Sequence, residues 1–520
     1  KGEYASALRL ICEKNPLPFI TGTICAHNCQ TKCTRNYYED SVQIRATKLV
    51  AAERGYNEYL SKVKAPVPAK NGKKAAVIGG GPAGMAAAYF VGRAGIPVTV
   101  FEKSGQLGGV VRQVIPAFRI SDEAIDKDAA LIAKMGADIK LNTPAPSVAE
   151  LKAQGYTHIF FAVGAWKAGR LDVPGNVVPV IGWLKDMKAG KNVSLGHVAV
   201  VGGGNTAMDA ARAALWAGAK SSTLVYRRTK KYMPADAEEL ELAMADGVNF
   251  LELVAPVEQK DGKLRCEKMK LGEPDEKGRR KPEPIGEFVE IDCDTVVSAV
   301  GEKVESELFT ANGIEVDARG LPDFQTNVEG VYAGGDAMRG PATVVEGIAD
   351  AQAFANAVIG ETHKFAIPEK AVASRADAIA KKGILCESAK CEGDRCLICN
   401  VVCQVCADVC PNRANVVIKM PDGRHEILHV DRMCNECGNC AIFCPYDSAP
   451  YRDKFTLFKT REGFDESVNN QGFLPLGGGK VLVRLDGKVF EADLNAENDL
   501  PAGIEVFILT VMNKYAYLLG

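Results

Sequence analysis

Seventeen cysteines stand among the 520 residues, and eleven of them fall between Cys386 and Cys444. Within that stretch, Cys434-x-x-Cys437-x-x-Cys440-x-x-x-Cys444-Pro445 has the spacing with which soft thiolates wrap a [4Fe–4S] cubane. Before it comes Cys399-x-x-x-Cys403-x-x-Cys406-x-x-x-Cys410-Pro411, with one extra residue in the first gap. Where two such runs share a fold, the cysteine before proline crosses to the other cluster. Cys434, Cys437, Cys440 and Cys410 are therefore expected on one cluster, and Cys403, Cys406 and Cys444 on the other. Cys399 or Cys396 would complete the second set, and the spacing does not choose between them. A zinc ribbon needs four cysteines, not eight with paired prolines. Cys386 and Cys391 are left spare.

A second kind of chemistry is written in glycines. Ala75-Ala76-Val77-Ile78 is a short apolar run, followed by Gly79-Gly80-Gly81-Pro82-Ala83-Gly84 and an alanine-rich segment. This is G-x-G-x-x-G between a strand and a helix, where Gly79, Gly81 and Gly84 let a pyrophosphate settle on the helix N-terminus. Eighteen residues past Gly84, Glu102 closes a second strand and can accept hydrogen bonds from a ribose. A second copy begins at His197-Val-Ala-Val-Val and continues Gly202-Gly203-Gly204-Asn205-Thr206-Ala207, with Ala207 in the third glycine's place. Its second strand ends in Arg227-Arg228, with Lys230 and Lys231 behind. Two guanidiniums at that edge suit a 2′-phosphate and favour NADP(H) over NAD(H), against the alternative of a solvated basic turn.

The elements around these motifs must hold them in place. Strand, glycine turn and helix recur from Lys74 onward, which indicates parallel α/β layers. The near-duplicates Phe161-Ala-Val-Gly164 and Ser298-Ala-Val-Gly301 bracket the second copy, so the second nucleotide domain reads as inserted into the first. The expected divisions are residues 1–72, a helical cysteine-bearing segment and linker; 73–164 and 290–365, the first nucleotide domain; 165–289, the second; 366–385, a linker; 386–450, the two-cluster domain; and 451–520, a small β module with strands such as Lys480-Val-Leu-Val-Arg-Leu and Glu505-Val-Phe-Ile-Leu. Cys266 and Cys293 are isolated and read as core residues. With 63 basic and 65 acidic residues the net charge is −2, which gives no electrostatic reason to bind nucleic acid or a membrane surface. No apolar run reaches the ~20 residues of a spanning helix. Clustered reduced cysteines and oxygen-sensitive clusters suggest an anaerobic cytoplasm. The first residue, Lys1, opens what reads like the middle of a helix, so upstream sequence is expected.

The paired nucleotide motifs, with Val331-Tyr-Ala-Gly-Gly335-Asp336 and a helix from about Thr343, resemble the two-dinucleotide-domain flavoprotein disulfide-reductase superfamily. That resemblance implies FAD at the first site and NAD(P)H at the second, with Asp336 at the ribityl or phosphate end of the flavin. Neither nucleotide domain holds a Cys-x-x-Cys, so reduction of a disulfide is not expected. Asn15-Pro-Leu-Pro18, Thr21-Gly-Thr-Ile-Cys25, Cys29, Cys33 and Val42-Gln-Ile-Arg45 resemble the N-terminal segment of the glutamate synthase small subunit and of dihydropyrimidine dehydrogenase. By that resemblance Cys25 and Cys29 serve one [4Fe–4S] cluster and Cys33 another, with the remaining ligands upstream of residue 1; zinc or a simple thiol group is the alternative. Gly108-Gly109, Ile115-Pro-x-Phe-Arg119 and Tyr226-Arg-Arg-Thr229 are shared with the glutamate synthase group, which adds Gly109, Arg119, Gly335 and Thr343 to the FAD residues. Cys396-Leu-Ile-Cys399 through Cys410-Pro-Asn-Arg-Ala-Asn415 is similar to the group described as selenate reductase iron–sulfur flavoprotein subunits.

Together these resemblances imply two Rossmann-like domains, the second inserted in the first, flanked by an N-terminal α-helical Fe–S segment and a C-terminal two-cluster ferredoxin-like domain with a β tail. The implied function is an NADPH-dependent FAD and iron–sulfur oxidoreductase module that feeds a substrate-reducing flavin domain or partner subunit in a larger complex. A purine- or pyrimidine-type heterocycle is the implied acceptor, and a molybdenum hydroxylase system the implied setting. The alternatives are a bifurcating or transhydrogenase subunit that exchanges electrons with ferredoxin, and a non-enzymatic electron carrier. No histidine or carboxylate pair marks a proton donor, so no catalytic residue is named.

Overall fold

Four apolar residues, Ala75–Ile78, form a fully buried strand at the centre of a five-stranded parallel sheet. The computed structural model describes residues 2–31, 33–37, 40–69, 72–191, 195–274, 280–360, 392, 404–423, 425–444, 448–467 and 470–520. The chain divides into two units, residues 1–26 with 48–364 and residues 27–47 with 365–520.

In the first unit, the central sheet runs Val331–Ala333, His158–Phe161, Ala75–Ile78, Val98–Phe101, Asp138–Lys140 in space. A run with no polar position is what a strand covered on both faces requires. The helix Pro82–Arg93 covers one face with Met85, Tyr89 and Phe90 buried, and packs against the helix Val344–Ile359. A second five-stranded parallel sheet runs Val177–Pro179, Thr295–Ser298, His197–Val201, Ser221–Tyr226, Asn249–Glu252. Thr295–Ser298 pairs with His197–Val201, so residues up to Ser298 belong to the second sheet and not to the first domain, as a boundary at 290 would have it. The short antiparallel pair Lys167–Ala168 with Glu302–Lys303 lies where the chain passes between the two sheets.

The N-terminal helices Tyr4–Cys12 and Pro18–Ile24 pack on this unit. Asp128 is fully buried, and its two oxygens accept from Phe19 N at 3.1 Å and Ile20 N at 2.8 Å. The carboxylate so takes up free amides in the first turn of the helix that leads to Cys25. Burial pushes the Asp128 carboxyl well above the usual range, and the Ile20 and Phe19 amides draw it back.

In the second unit, Asn415–Lys419 and His425–Val430 form an antiparallel hairpin. Thr456–Leu457 then pairs in parallel with His425–Val430 and with Gly472–Gly477, and Lys480–Leu485 and Lys488–Asp493 complete a six-stranded sheet. The tail from 451 is therefore a continuation of the sheet begun at Asn415 and not a separate module. Glu505-Val-Phe-Ile-Leu, expected as a strand, lies in the helix Ala502–Lys514. An uninterrupted apolar run fits a buried strand or a buried helix equally; Phe507, Ile508 and Val511 seat this helix against Val481, Val483 and Phe473. Among the described residues, no helix is long and apolar enough to cross a membrane.

Asp128→Leu keeps the branching at Cγ, in a larger side chain, and leaves two buried N–H groups without acceptors, at about 1–3 kcal/mol each. The expected outcome is an earlier first transition in chemical denaturation, with limited proteolysis starting in residues 15–24; an unchanged transition would remove Asp128 from this role.

Candidate functional site

The glycine turn after Ala75–Ile78 opens on a cavity of about 440 Å³, lined by Gly79, Gly81, Glu102, Gly109, Gly335, Asp336 and Thr343 among others. The turn is built on absent side chains. A methyl group on Gly84 would lie 1.9 Å from Gly79 O, and one on Gly79, at φ +102°, would lie 2.5 Å from Ala162 O. Gly84 does not line the cavity; it lets the helix Pro82–Arg93 press onto the turn. Such a backbone cradle at a helix N-terminus fits a pyrophosphate.

Glu102 is 6% exposed and accepts from Gly80 N and Ser104 N, both at 2.7 Å. An ionised carboxylate has about four acceptor sites, so it braces the turn and keeps capacity for a ribose hydroxyl. At the opposite side, Asp336 lines the cavity, and burial pushes its carboxyl up to about 6. The turn that presents it is held by Asp350, whose oxygens accept from Gly335 N at 2.7 Å and Arg339 Nη2 at 2.6 Å. Thr343 caps the helix Val344–Ile359, its hydroxyl accepting from Glu346 N while Glu346 accepts from Thr343 N. That N-terminus gives the cavity wall a partial positive charge. Lys103, Val110 and Trp166 also line the cavity. No motif marks them, nor Asp350; they follow from the fold alone.

Arg119 is placed elsewhere. It does not line the cavity; its guanidinium pairs with Asp209 and, at 2.7 Å, with Glu239. Both carboxylates belong to helices of the second sheet; Arg212 reaches Glu239 at 4.0 Å and pairs on its other side with Asp246 at 2.7 Å. Phe118 stacks on Trp216 with centroids 5.1 Å apart. The Ile115–Arg119 stretch so fastens the first nucleotide domain to the second. Burial pushes Asp209 up to about 6, opposed by the Arg119 charge.

At the second glycine turn, Gly204 caps the helix Asn205–Trp216, and Asn205 exchanges hydrogen bonds with Asp236 at 2.9 and 3.1 Å. A methyl group on Gly202 would lie 2.2 Å from Ala299 O. Thr206 and Ala207 occupy the first turn, Ala207 buried. Arg227 is exposed at the end of Ser221–Tyr226, and Arg228 donates through Nε to Arg280 O at 3.2 Å. The basic turn is pinned by Tyr226 Oη on Tyr232 O at 2.7 Å and Lys230 N on Glu252 at 2.8 Å.

Of the cluster cysteines, Cys406, Cys410, Cys434, Cys437, Cys440 and Cys444 are described, whereas Cys396, Cys399 and Cys403 lie outside the described residues. Burial pushes the Cys434 thiol up, and the Cys410 and Cys440 thiols beside it add to the shift. Those are three of the four cysteines expected on one cluster. Cys410 Sγ accepts from Ala414 N at 3.2 Å and Cys434 Sγ from Glu436 N at 3.3 Å, bonds of the kind that tune a cluster's thiolates. Among the described residues, no three His, Cys, Asp or Glu side chains close around a single ion. The thiolate donor set fits an iron–sulfur cluster. Cys25 follows the helix Pro18–Ile24, Cys29 lies in the helix Asn28–Thr31 and Cys33 just beyond it. Cys266 and Cys293 are both fully buried in one apolar cluster.

His429, 2% exposed, is held by burial at a pKa of about 4. The unfolded chain takes up this proton near pH 6.5, and the folded one refuses it down to about 4. Stability is therefore present above pH 6.5 and falls by up to about 3 kcal/mol as pH drops through that window. His429→Asn should flatten this part of the stability–pH curve; a curve of unchanged slope would contradict the assignment.

Residues 73–351 match the pyridine nucleotide-disulphide oxidoreductase family, and residues 1–59 match domain II of dihydropyrimidine dehydrogenase, a 4Fe–4S cluster domain. The chain is 40% identical to YgfK of Escherichia coli O157:H7 over 99% of its own length and 53% of that protein's, so it spans about half of that relative. It is 36% identical to the NADPH-Fe(3+) oxidoreductase subunit beta of Geobacter sulfurreducens (strain DL-1 / KN400), over 68% of this chain and 59% of that one. It is 31% identical to the glutamate synthase [NADPH] small chain of Escherichia coli (strain K12), over 69% of this chain and 84% of that one. With a pyridine nucleotide-disulphide oxidoreductase match over residues 73–351 and a 4Fe–4S domain match over residues 1–59, the chain belongs to the pyridine nucleotide-disulphide oxidoreductase family, as an FAD- and iron–sulfur-containing member.

Proposed function

We propose that the chain is an electron-input module that oxidises NADPH and passes the electrons through iron–sulfur clusters to an acceptor site on a larger assembly. One observation carries the reading: the strands that follow the two glycine turns end in opposite charges, Val98–Phe101 in Glu102 beside the 440 Å³ cavity and Ser221–Tyr226 in Arg227–Arg228. The first suits a dinucleotide with free ribose hydroxyls, the second one with a 2′-phosphate. FAD, when bound, supplies the exchange between two-electron hydride chemistry and single electrons, and the clusters supply single-electron storage.

The residues then divide the work. Gly79 and Gly81 bring backbone amides to the pyrophosphate, Gly84 lets the helix Pro82–Arg93 close onto the turn, Glu102 orients the ribose, and Gly109, Gly335, Asp336 and Thr343 line the remainder of the FAD cavity. Gly202, Gly204, Asn205, Thr206 and Ala207 form the matching NADPH cradle, with Arg227 and Arg228 on its 2′-phosphate. Arg119 binds no cofactor; it positions one nucleotide domain on the other. Cys434, Cys437, Cys440 and Cys410 hold one cluster, and Cys403, Cys406, Cys444 and Cys399 or Cys396 hold the second. Cys25, Cys29 and Cys33 serve the N-terminal clusters. Relatives named as a beta subunit and a small chain support a place in a larger complex. The match to the 4Fe–4S domain of dihydropyrimidine dehydrogenase supports the N-terminal clusters; a purine- or pyrimidine-type acceptor and a molybdenum hydroxylase setting are carried from the family resemblance.

The test is an anaerobic titration with NADPH and, separately, NADH, following flavin absorbance and low-temperature EPR together. Bleaching by NADPH with new cluster signals is expected; no bleaching with either nicotinamide would sink the reading. Arg227→Ala should raise the KM for NADPH roughly tenfold, about 1.4 kcal/mol, with little change for NADH. Equal effects on both would leave the basic turn as plain surface.

A further inference from the structure

Two polar side chains are buried beside the Cys406–Cys410 turn: Asn415, which ends the Cys410–Asn415 stretch noted in the sequence, and His429, which belongs to no motif. Asn415 is 3% exposed and His429 is 2% exposed. They stand directly opposite each other on the antiparallel strands Asn415–Lys419 and His425–Val430. Asn415 Nδ2 donates to the main-chain carbonyl of Cys406 at 3.1 Å, and Asn415 Oδ1 lies 3.0 Å from His429 Nδ1.

The chemistry of these groups fixes the direction of every bond. A carbonyl oxygen only accepts, so the amide must turn its NH2 group to Cys406. Its oxygen then faces the imidazole and needs a donor, which sets the His429 proton on Nδ1. The imidazole is neutral in this environment, with a pKa of about 4, so one tautomer satisfies the chain of bonds. The residue before Asn415 acts on the other cysteine of the turn, because Ala414 N donates to Cys410 Sγ at 3.2 Å. Residues 414 and 415 thus hold the main chain of one cysteine and the sulfur of the next. His429 is tied in turn to the following strand, its backbone N donating to Phe455 O at 3.0 Å.

We infer that Asn415 and His429 are positioning residues for the iron–sulfur clusters: His429 orients the Asn415 amide, which sets the Cys406–Cys410 turn and so the geometry and potential of the clusters it ligates. The inference rests on the proposed reading of Cys406 and Cys410 as ligands, which fall on different clusters in that reading. Partners outside the ligand shell fix ligand orientation in metal sites generally, and hydrogen bonding around the sulfurs tunes cluster potential. Leu at position 429 fills similar space and removes the donor, whereas Asn can keep a donor aimed at Asn415.

The experiment compares H429L, H429N and N415D in the full chain by iron and acid-labile sulfide content and by EPR-monitored redox titration. Flavin bleaching by NADPH is followed in the same samples as a check on the first unit. H429L and N415D are expected to shift the midpoint potential of at least one cluster or lose its iron, and H429N to restore the parent values. If H429L and H429N behave alike, or N415D keeps the parent's iron and potentials, the positioning role is overturned. Failure of the underlying reading looks different: C406S and C410S would then retain the parent's full iron content.

Discussion

Backbone has to come very close to backbone at the first nucleotide turn, and much of the first unit follows from that requirement. With a methyl group on Gly84 only 1.9 Å from Gly79 O, the helix Pro82–Arg93 could not rest where it does. Seated there, the helix buries Met85, Tyr89 and Phe90, and the helix Val344–Ile359 packs against it. The second helix brings Asp350 under the Gly335–Asp336 turn and its own capped N-terminus to the cavity wall. The volume left between these parts is lined by backbone at Gly79, Gly81, Gly109 and Gly335. A nucleotide bound there, as proposed, would meet amides and dipoles already in place, so little reorganisation would accompany binding.

The second nucleotide domain is joined to the first by two quite different means. A short ribbon, Lys167–Ala168 with Glu302–Lys303, carries the chain across. The other link is ionic: Arg119 reaches Asp209 and Glu239 on helices that belong to the second sheet. Arg119 is only partly exposed, so losing one of its two carboxylate partners would leave its charge poorly compensated. The pairing therefore specifies how the loop sits on the second domain more than it adds net stability, and it explains why Arg119 does not line the cavity at the first glycine turn.

What could be read in advance was whatever depends on short spacing. The thiolate runs and glycine turns are local, because a cubane and a pyrophosphate are small and draw their ligands from a few consecutive residues. The partners of Arg119 lie 90 and 120 residues further along the chain, and Asp350 has no neighbouring signal at all. Asn415 and Asp128 are likewise ordinary polar residues until the fold buries them. Glu505–Leu509 was misread for a different reason. Five residues of which four are apolar carry no period, and the choice between strand and helix fell to the core formed with Val481 and Val483.

The continuity of the six-stranded sheet changes what counts as the cluster-bearing part of the second unit. Thr456–Leu457 completes the outer edge of His425–Val430, and the helix Ala502–Lys514 closes over the same core that holds Ile418 and Leu428. A fragment ended at residue 450 would present that edge unpaired and those side chains to water, the condition in which strands recruit one another. Residues 451–520, which include no cysteine, thus act as a housing that completes the sheet between the cysteine-bearing turns on either side of the Asn415–Val430 hairpin. Any transfer of the cluster site to another protein would have to carry that housing with it.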